Sequence, residues 1–260
     1  MSKKGQLSVF LIAGIVVLLF AALFFWLVSS RYGNLEQSKD DFSNVRTLKD
    51  SVSSYVRSCL NDVSLEATYF IAKQGGYYEL SSFSDSSLLL PYYWSGSDSF
   101  LISKETLEQQ FSSYVNDGLF FCLRNFVPFK ERGYSITGKK IDTKTTIDSQ
   151  KIHVNLLFPI ILGEDGTQSS SEKFSVVIDS RLGTIHDLIA TFFEQQMKEK
   201  NALCLDCLAL LASQNDLRIE VFNSEDTTIL FRITDTTSTP PLVYKFLGNY
   251  SLPQSDISQT

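Results

Sequence analysis

The chain has 260 residues, of which 43% are hydrophobic and 20% are charged, and its formal net charge at pH 7 is −6. This composition excludes wholesale disorder, and the length fits one domain with an accessory element. An acidic chain without a basic stripe is not expected to have nucleic acid as its main partner. Only two histidines are present, which leaves little material for His-based catalysis or a His-rich metal site.

The first element along the chain is an uncharged stretch of 22 residues from Leu7 to Val28. As a helix it would be about 33 Å long, enough to cross a hydrocarbon core of about 30 Å. It is longer than the apolar core of a cleaved secretory signal, and bulky residues stand where the small residues of a cleavage site would be. We therefore predict a transmembrane helix over residues 7–28.

The flanking charges predict the orientation of this helix. Lys3 and Lys4 precede it and Arg31 follows it, so the positive-inside rule favours a cytoplasmic N-terminus and an extracellular remainder. The chain is thus expected to be a single-pass protein of the cell membrane. The predicted parts are a cytoplasmic leader (1–6), the transmembrane helix (7–28), a stalk (29–41), an extracellular domain (42–252) and a flexible tail (253–260).

The sequence KKGQLS at positions 3–8, directly before the apolar stretch, resembles the class III signal of archaeal type IV pilin-like proteins. The resemblance implies that a prepilin peptidase cuts between Gly5 and Gln6, and that the apolar segment stays on the mature protein as the first half of a long helix. Gln6 and Ser8 match the Gln-x-Ser start of that family. More loosely, the layout resembles uncharacterised membrane-anchored archaeal proteins with the same leader, and this resemblance supplies no activity for the chain.

The same resemblance bears on filament assembly. Pilin-like proteins commonly carry an acidic residue at the fifth mature position, where this chain has Phe10. If the helix nevertheless packs into a filament core, the expected interface residues are Val9, Leu11, Ile15 and Leu18. The partners expected from the N-terminal region are the lipid membrane, and either other surface proteins or further copies of this chain in a filament.

Beyond the stalk, apolar residues recur at steps of three and four, which predicts one helix from about Asp40 to Ala72 that ends at Gly75-Gly76. Residues Tyr77 to Phe100 predict a strand or ordered loop, and the aromatic run at 91–94 either covers the core or forms a binding surface. Ser103 is a candidate N-cap for a second helix over 104–125. The predicted apolar face of that helix is Leu107, Phe111, Tyr114, Val115, Cys122 and Leu123.

The remainder predicts a mixture of strands and helices. Alternating and β-branched runs favour antiparallel strands within 134–162, where His153 is expected on a strand surface. The later predicted elements are a polar loop (164–172), a strand (174–178), a helix after Gly183 (185–200), a helix (202–213), two strands (217–223 and 227–234) and an edge strand (242–246). The fold class is therefore α+β: a long N-terminal transmembrane helix followed by helices packed on one antiparallel sheet.

The four cysteines bear on the compartment of the predicted extracellular domain, because disulfides persist outside the cytoplasm. Cys59 and Cys122 both lie on apolar helix faces, so helix packing could join them. The favoured set is Cys59–Cys122 with Cys204–Cys207, although four cysteines allow three pairings. Cys204-x-x-Cys207 also allows thiol–disulfide exchange if Asn201 caps the helix and places Cys204 in its first turn, where the dipole lowers a thiol pKa.

Other sites receive little support from the sequence. No catalytic residue and no metal or cofactor site is predicted, and Gly163-Glu164-Asp165-Gly166 is expected to be a solvated turn rather than a calcium loop. Asn249-Tyr250-Ser251 is an N-glycosylation acceptor if it lies on an exposed segment. The leading hypothesis is a non-enzymatic, pilin-like, membrane-anchored surface protein that makes structural or protein–protein contacts. The alternatives are a membrane-tethered thiol–disulfide oxidoreductase and an extracellular sensor that works with a partner.

Overall fold

The computed structural model describes residues 45–162, 168–198, 203–225 and 227–250. The chain divides into two compact units, Met1–Val52 and Ser53–Thr260, and of the first only the helical residues 45–52 are described. Within the described ranges no helix is long and apolar enough to cross a membrane. The predicted leader, transmembrane helix and stalk lie outside these ranges, and so does the tail.

Five α-helices occur in the described residues. They are α1 (Val45–Lys73), α2 (Lys104–Leu123), α3 (Val127–Lys130), α4 (Leu182–Gln196) and α5 (Leu205–Asn215), with a 3-10 turn at Arg124–Phe126 between α2 and α3. The N-terminus of α2 is capped as predicted, because the Ser103 hydroxyl accepts a hydrogen bond from the Thr106 N–H at 3.1 Å.

In the described part of the chain, ten strands form two sheets. They are β1 (Ser84–Asp85), β2 (Leu90–Ser95), β3 (Asp98–Ser99), β4 (Ile136–Gly138), β5 (Asp142–Ile147), β6 (Lys151–Leu162), β7 (Gln168–Asp179), β8 (Arg218–Glu225), β9 (Thr228–Asp235) and β10 (Leu242–Asn249). The fold is therefore α+β. The prediction of one antiparallel sheet is wrong, because the strands separate into a six-stranded and a four-stranded sheet.

The six-stranded sheet has the order β1-β2-β10-β9-β8, with β3 paired to β2. Strand β10 runs parallel to β2 and antiparallel to β9, so the sheet is mixed. The expected edge strand at 242–246 is thus an interior strand and extends to Asn249. Its inward residues accord with this position: Tyr244 and Phe246 are buried, and the Phe246 ring stacks on Tyr93 of β2 and on Phe231 of β9.

The four-stranded sheet is entirely antiparallel and is built on β6. Strands β4 and β5 pair with successive parts of one edge of β6, and β7 pairs with its other edge along twelve residue pairs from Leu162–Gln168 to Lys151–Asp179. The expected loop at 164–172 is therefore wrong from Gln168 onward. Its serines are strand residues because they pair opposite the long apolar β6. His153 lies half exposed on β6, as predicted, 3.1 Å from an Asp148 carboxylate oxygen.

Helix α4 covers the core of the six-stranded sheet. The Phe193 ring stacks on Trp94 at 5.8 Å between centroids, and Phe192 contacts Phe231 at 6.1 Å. The helix begins at Leu182 rather than after Gly183. Gly183 lies in its first turn. Only glycine fits there, because a Cβ would overlap the Asp148 carbonyl oxygen.

Helix α1 ends where the sequence predicts, whereas helix α5 begins later than predicted. Helix α1 ends where Gly75 and Gly76 adopt positive φ values, and the Gly76 N–H donates to the Ile71 carbonyl at 2.8 Å. This confirms the predicted stop. Helix α5 begins at Leu205, later than the expected 202, and runs to Asn215.

Candidate functional site

A disulfide joins α1 to α2. Cys59 and Cys122 are bonded with their Cα atoms 5.8 Å apart, and Cys59 is buried, as expected for a cysteine on an apolar helix face. Tyr55 braces the same junction, because its hydroxyl donates to the Cys122 carbonyl at 3.0 Å. The C-terminal end of α2 is thereby fixed to the middle of α1.

The two helices approach closely one and two turns away from the disulfide. A Cβ on Gly118 would lie only 2.5 Å from a methyl group of Val63, so the glycine permits this spacing. Further along, Tyr114 of α2 lies beside Glu66 of α1, close enough for the carboxylate to raise the pKa of the phenol. Because α1 numbers rise along this line as α2 numbers fall, the helices are antiparallel.

The segment after α1 crosses back over α2 and is held there by one side chain. The Gln110 amide oxygen accepts hydrogen bonds from the backbone N–H groups of Tyr78 and Glu79, at 2.8 and 2.9 Å. This fixes the Tyr78 ring beside α2, where its hydroxyl donates to an Asp117 carboxylate oxygen at 3.0 Å. The Tyr78 ring also contacts Phe70 of α1 at 6.1 Å between centroids, so this loop side chain bridges the two helices.

Together these elements enclose a groove of about 530 Å³, which we call the α1/α2 groove. Its volume is in the range of small-ligand sites. The groove is lined by Asp62, Val63, Glu66, Tyr78, Tyr114, Asp117, Gly118, Phe121 and Cys122. Three of these residues are carboxylic acids and none is basic. Among the described residues, the ion pairs involve none of the three carboxylates.

Aromatic rings form one wall of the groove. The rings of Tyr78 and Tyr114 meet edge to face at 5.2 Å between centroids, and Phe70 lies 4.9 Å from Tyr114 behind them. At the rim, Phe121 is 73% exposed. Its neighbour Phe120 is 70% exposed and does not line the groove. The two neighbouring rings lie 5.5 Å apart between centroids and together leave an exposed apolar surface at this rim.

The local electrostatics follow from burial and from the carboxylates. Burial raises the pKa of Tyr114 to about 12, and the nearby Glu66 carboxylate acts in the same direction. The hydrogen bond to Asp117 is the main cause that raises the pKa of Tyr78. Both phenols therefore stay neutral at physiological pH, and the groove carries only negative charge. The described residues contain no group of three His, Cys, Asp or Glu that could hold a metal ion.

The second disulfide, Cys204–Cys207, completes the pairing that the sequence favoured, so all four cysteines are bonded. Cys204 occupies the N-cap position of α5, so the placement of Cys204 in the first turn is wrong; Asn201, the expected cap, lies outside the described residues. The described element before this motif is helix α4, not a strand of a βαβ unit. Asp206, which lies in the first turn, adds a negative charge beside the sulfurs.

Asn249, the predicted glycosylation residue, is the last residue of β10 and is half-buried. It pairs with Ser95 on one side and Thr228 on the other, and the next residue, Tyr250, is 3% exposed. The acceptor therefore begins inside the sheet and not on an exposed segment, because β10 is an interior strand.

The aromatic run at 91–94 belongs to the core. Tyr93 and Trp94 on β2 are fully buried, whereas Tyr92 is half-buried against Phe83. Of the two interpretations offered by the sequence, covering of the core is the one that the structure supports.

Several sequence-predicted features fall outside the described residues. They are the cleavage position at Gly5 and Gln6, the matching Ser8, the non-matching Phe10, the filament-interface residues in 9–18, and the turn at 163–166.

Sequence reasoning did not identify the α1/α2 groove. Two signals were available: Tyr114, Asp117 and Phe121 share one face at helical spacing, and Gly118 interrupts the same face. The remaining wall of the groove is formed by Tyr78. Its position depends on how the loop folds back over α2, and no periodic pattern in the sequence predicts this. Comparison of the chain with family models, with curated proteins and with solved structures found no match.

Proposed function

We propose that the chain is a non-enzymatic, single-pass, membrane-anchored cell-surface protein whose extracellular α+β domain contacts other proteins. The observation that carries this proposal is the oxidised state of all four cysteines. Disulfides persist in oxidising compartments and are rare in the cytosol. Together with the uncharged 22-residue stretch before the domain, they favour a domain outside the membrane.

The α1/α2 groove supports the part of this proposal that concerns contacts. It combines a concave surface, fixed walls and an exposed aromatic rim. Such surfaces bind partners with little loss of side-chain freedom. A pilin-like assembly is the more specific form of the proposal, and it rests on the KKGQLS leader alone.

Membrane extraction tests the anchor. The full chain should stay with membranes washed in alkaline carbonate and should be released by detergent, whereas a variant lacking residues 7–28 should be freely soluble. Intact mass after alkylation of the denatured but unreduced protein should show no modified cysteine. Release of the full chain by carbonate, or four alkylated cysteines, would contradict the proposal.

The thiol oxidoreductase alternative has its own test. An enzyme using Cys204 and Cys207 should accelerate the reduction of insulin by dithiothreitol, and this activity should vanish in Cys204→Ser. The proposal of a non-enzymatic surface protein expects no acceleration above the reagent alone.

A further inference from the structure

We infer that the α1/α2 groove binds a Lys or Arg side chain within a basic segment of a partner protein. The inference rests on the proposed function of protein contacts and names the chemistry of the partner. Three independent features of the groove lead to it: its charge, its aromatic wall and its rigidity.

The charge of the groove selects a cation. Asp62, Glu66 and Asp117 face a shared concave surface without a basic residue in the lining. A cleft lined by one sign of charge concentrates its field, so it attracts the opposite charge and repels carboxylates and phosphates. An apolar ligand is disfavoured, because it would cover these carboxylates without offering them a hydrogen-bond donor or an opposite charge.

The aromatic wall suits the same occupant. Tyr78 and Tyr114 present rings beside the carboxylates, and Phe121 adds a third ring at the rim. A cationic side chain is attracted to the faces of aromatic rings as well as to carboxylates. Its methylene groups can pack against apolar surface. Lys and Arg side chains provide both a charge and an apolar stem, which a small inorganic cation does not.

The groove is also held in shape before any partner binds. The Cys59–Cys122 disulfide, the close approach at Gly118 and the Gln110 clamp on the loop each fix one wall. A preformed site loses less conformational freedom on binding. The expected mode is therefore insertion of one basic side chain into a groove that barely changes.

A peptide titration on the purified full chain in detergent micelles tests the inference. The probe is a fluorescent acetyl-Gly-Lys-Phe-Lys-Gly amide, and the matched probes replace both lysines by norleucine or by glutamate. We expect the lysine peptide alone to bind, with an affinity that falls as salt increases. Equal binding of the norleucine peptide would show an apolar groove, and tighter binding of the glutamate peptide would reverse the assigned charge; either result overturns the inference.

Isosteric variants locate the binding. Glu66→Gln and Asp117→Asn each keep an oxygen for the tyrosine that contacts them, so they should fold, and each should weaken binding about threefold, with about tenfold for the pair. Glu131→Gln, an exposed acid outside the lining, is the charge control. Phe121→Ala should weaken binding about fivefold, whereas Phe120→Ala, equally exposed but outside the lining, should not.

The outcomes separate this inference from the proposed function. Peptide binding is measured on purified protein and does not depend on the location of the chain, which membrane extraction reports. Unchanged binding in the Glu66→Gln/Asp117→Asn variant overturns the groove assignment and leaves the anchor intact. Sedimentation shows self-association, and a dimer lost in the same variant would assign the groove to a second copy and also overturn the inference.

Discussion

The hydroxyl oxygens of Tyr93 and Tyr244 lie 2.7 Å apart in the core, although 151 positions separate them in the chain. The Tyr93 hydroxyl donates to the Gly75 carbonyl at 2.6 Å, so its oxygen accepts the proton of Tyr244. This chain of two hydrogen bonds connects β10 through β2 to the glycine turn after α1. Burial raises the pKa of both phenols, which therefore remain donors.

Removal of the two hydroxyls should have unequal effects on stability. Tyr244→Phe removes one donor and should lower the free energy of unfolding by about 1 kcal/mol. Tyr93→Phe removes the partner of both Gly75 and Tyr244, leaves two buried polar groups unpaired, and should cost about 2 to 3 kcal/mol. Urea denaturation measures both values. If the two substitutions lowered the free energy of unfolding equally, the hydrogen bond from Tyr93 to the Gly75 carbonyl would not contribute to stability.

The two disulfides should contribute unequally because they close loops of different length. Cys59 and Cys122 are 63 positions apart, whereas Cys204 and Cys207 are three apart. On the chain-entropy account, Cys59→Ala/Cys122→Ala should lower the free energy of unfolding by about 4 kcal/mol, and Cys204→Ala/Cys207→Ala by about 2 kcal/mol. Denaturant midpoints compare the variants. A larger loss from the second pair would refute the ranking.

Gly118 should be a position where alanine destabilises a helix. Alanine normally favours a helix by about 1 kcal/mol relative to glycine. Here its Cβ would lie 2.5 Å from Val63, so Gly118→Ala should cost about 1 to 3 kcal/mol. The loss should be smaller when Gly118→Ala is measured in a Val63→Ala background, which makes space. If the loss is the same in both backgrounds, the contact between α1 and α2 is not its cause.

Tyr114 should make stability depend on alkaline pH. Its pKa rises from 10.0 in the unfolded chain to about 12 in the folded protein, mainly through burial. Because the folded pKa is the higher one, the unfolded chain releases this proton first, and stability should fall between pH 10 and pH 12. Tyr114→Phe should show a smaller decline over the same window in urea denaturation. An unchanged decline would assign the effect to other groups.

Local patterns in the sequence were sufficient for some elements and not for others. The apolar spacing of α1, its glycine stop and the Ser103 cap depend on neighbouring residues, so the predictions agree with the structure. The interior position of β10 depends on its pairing with β2, more than 140 positions earlier, which no local pattern encodes. Similarly, the serine-rich start of β7 is polar in composition and becomes a strand only because β6 extends opposite it.

The candidate site shows the same limit. Helix faces predicted that Cys59 and Cys122 could meet, because both residues lie on apolar stripes. The groove beside them also needs Tyr78, whose position depends on the Gln110 side chain 32 residues away. Acidic residues on helix surfaces are common, so Glu66 and Asp117 gave no signal until the tertiary structure placed them together.

The location of the domain is the central claim, and labelling of intact cells tests it most directly. A membrane-impermeant amine reagent is added to cells that produce the native protein, and the modified lysines are mapped by mass spectrometry. We expect the exposed residues Lys139, Lys140 and Lys144 to be modified to the same extent on intact and on lysed cells. Modification only after lysis would place the domain inside the cell and contradict the account.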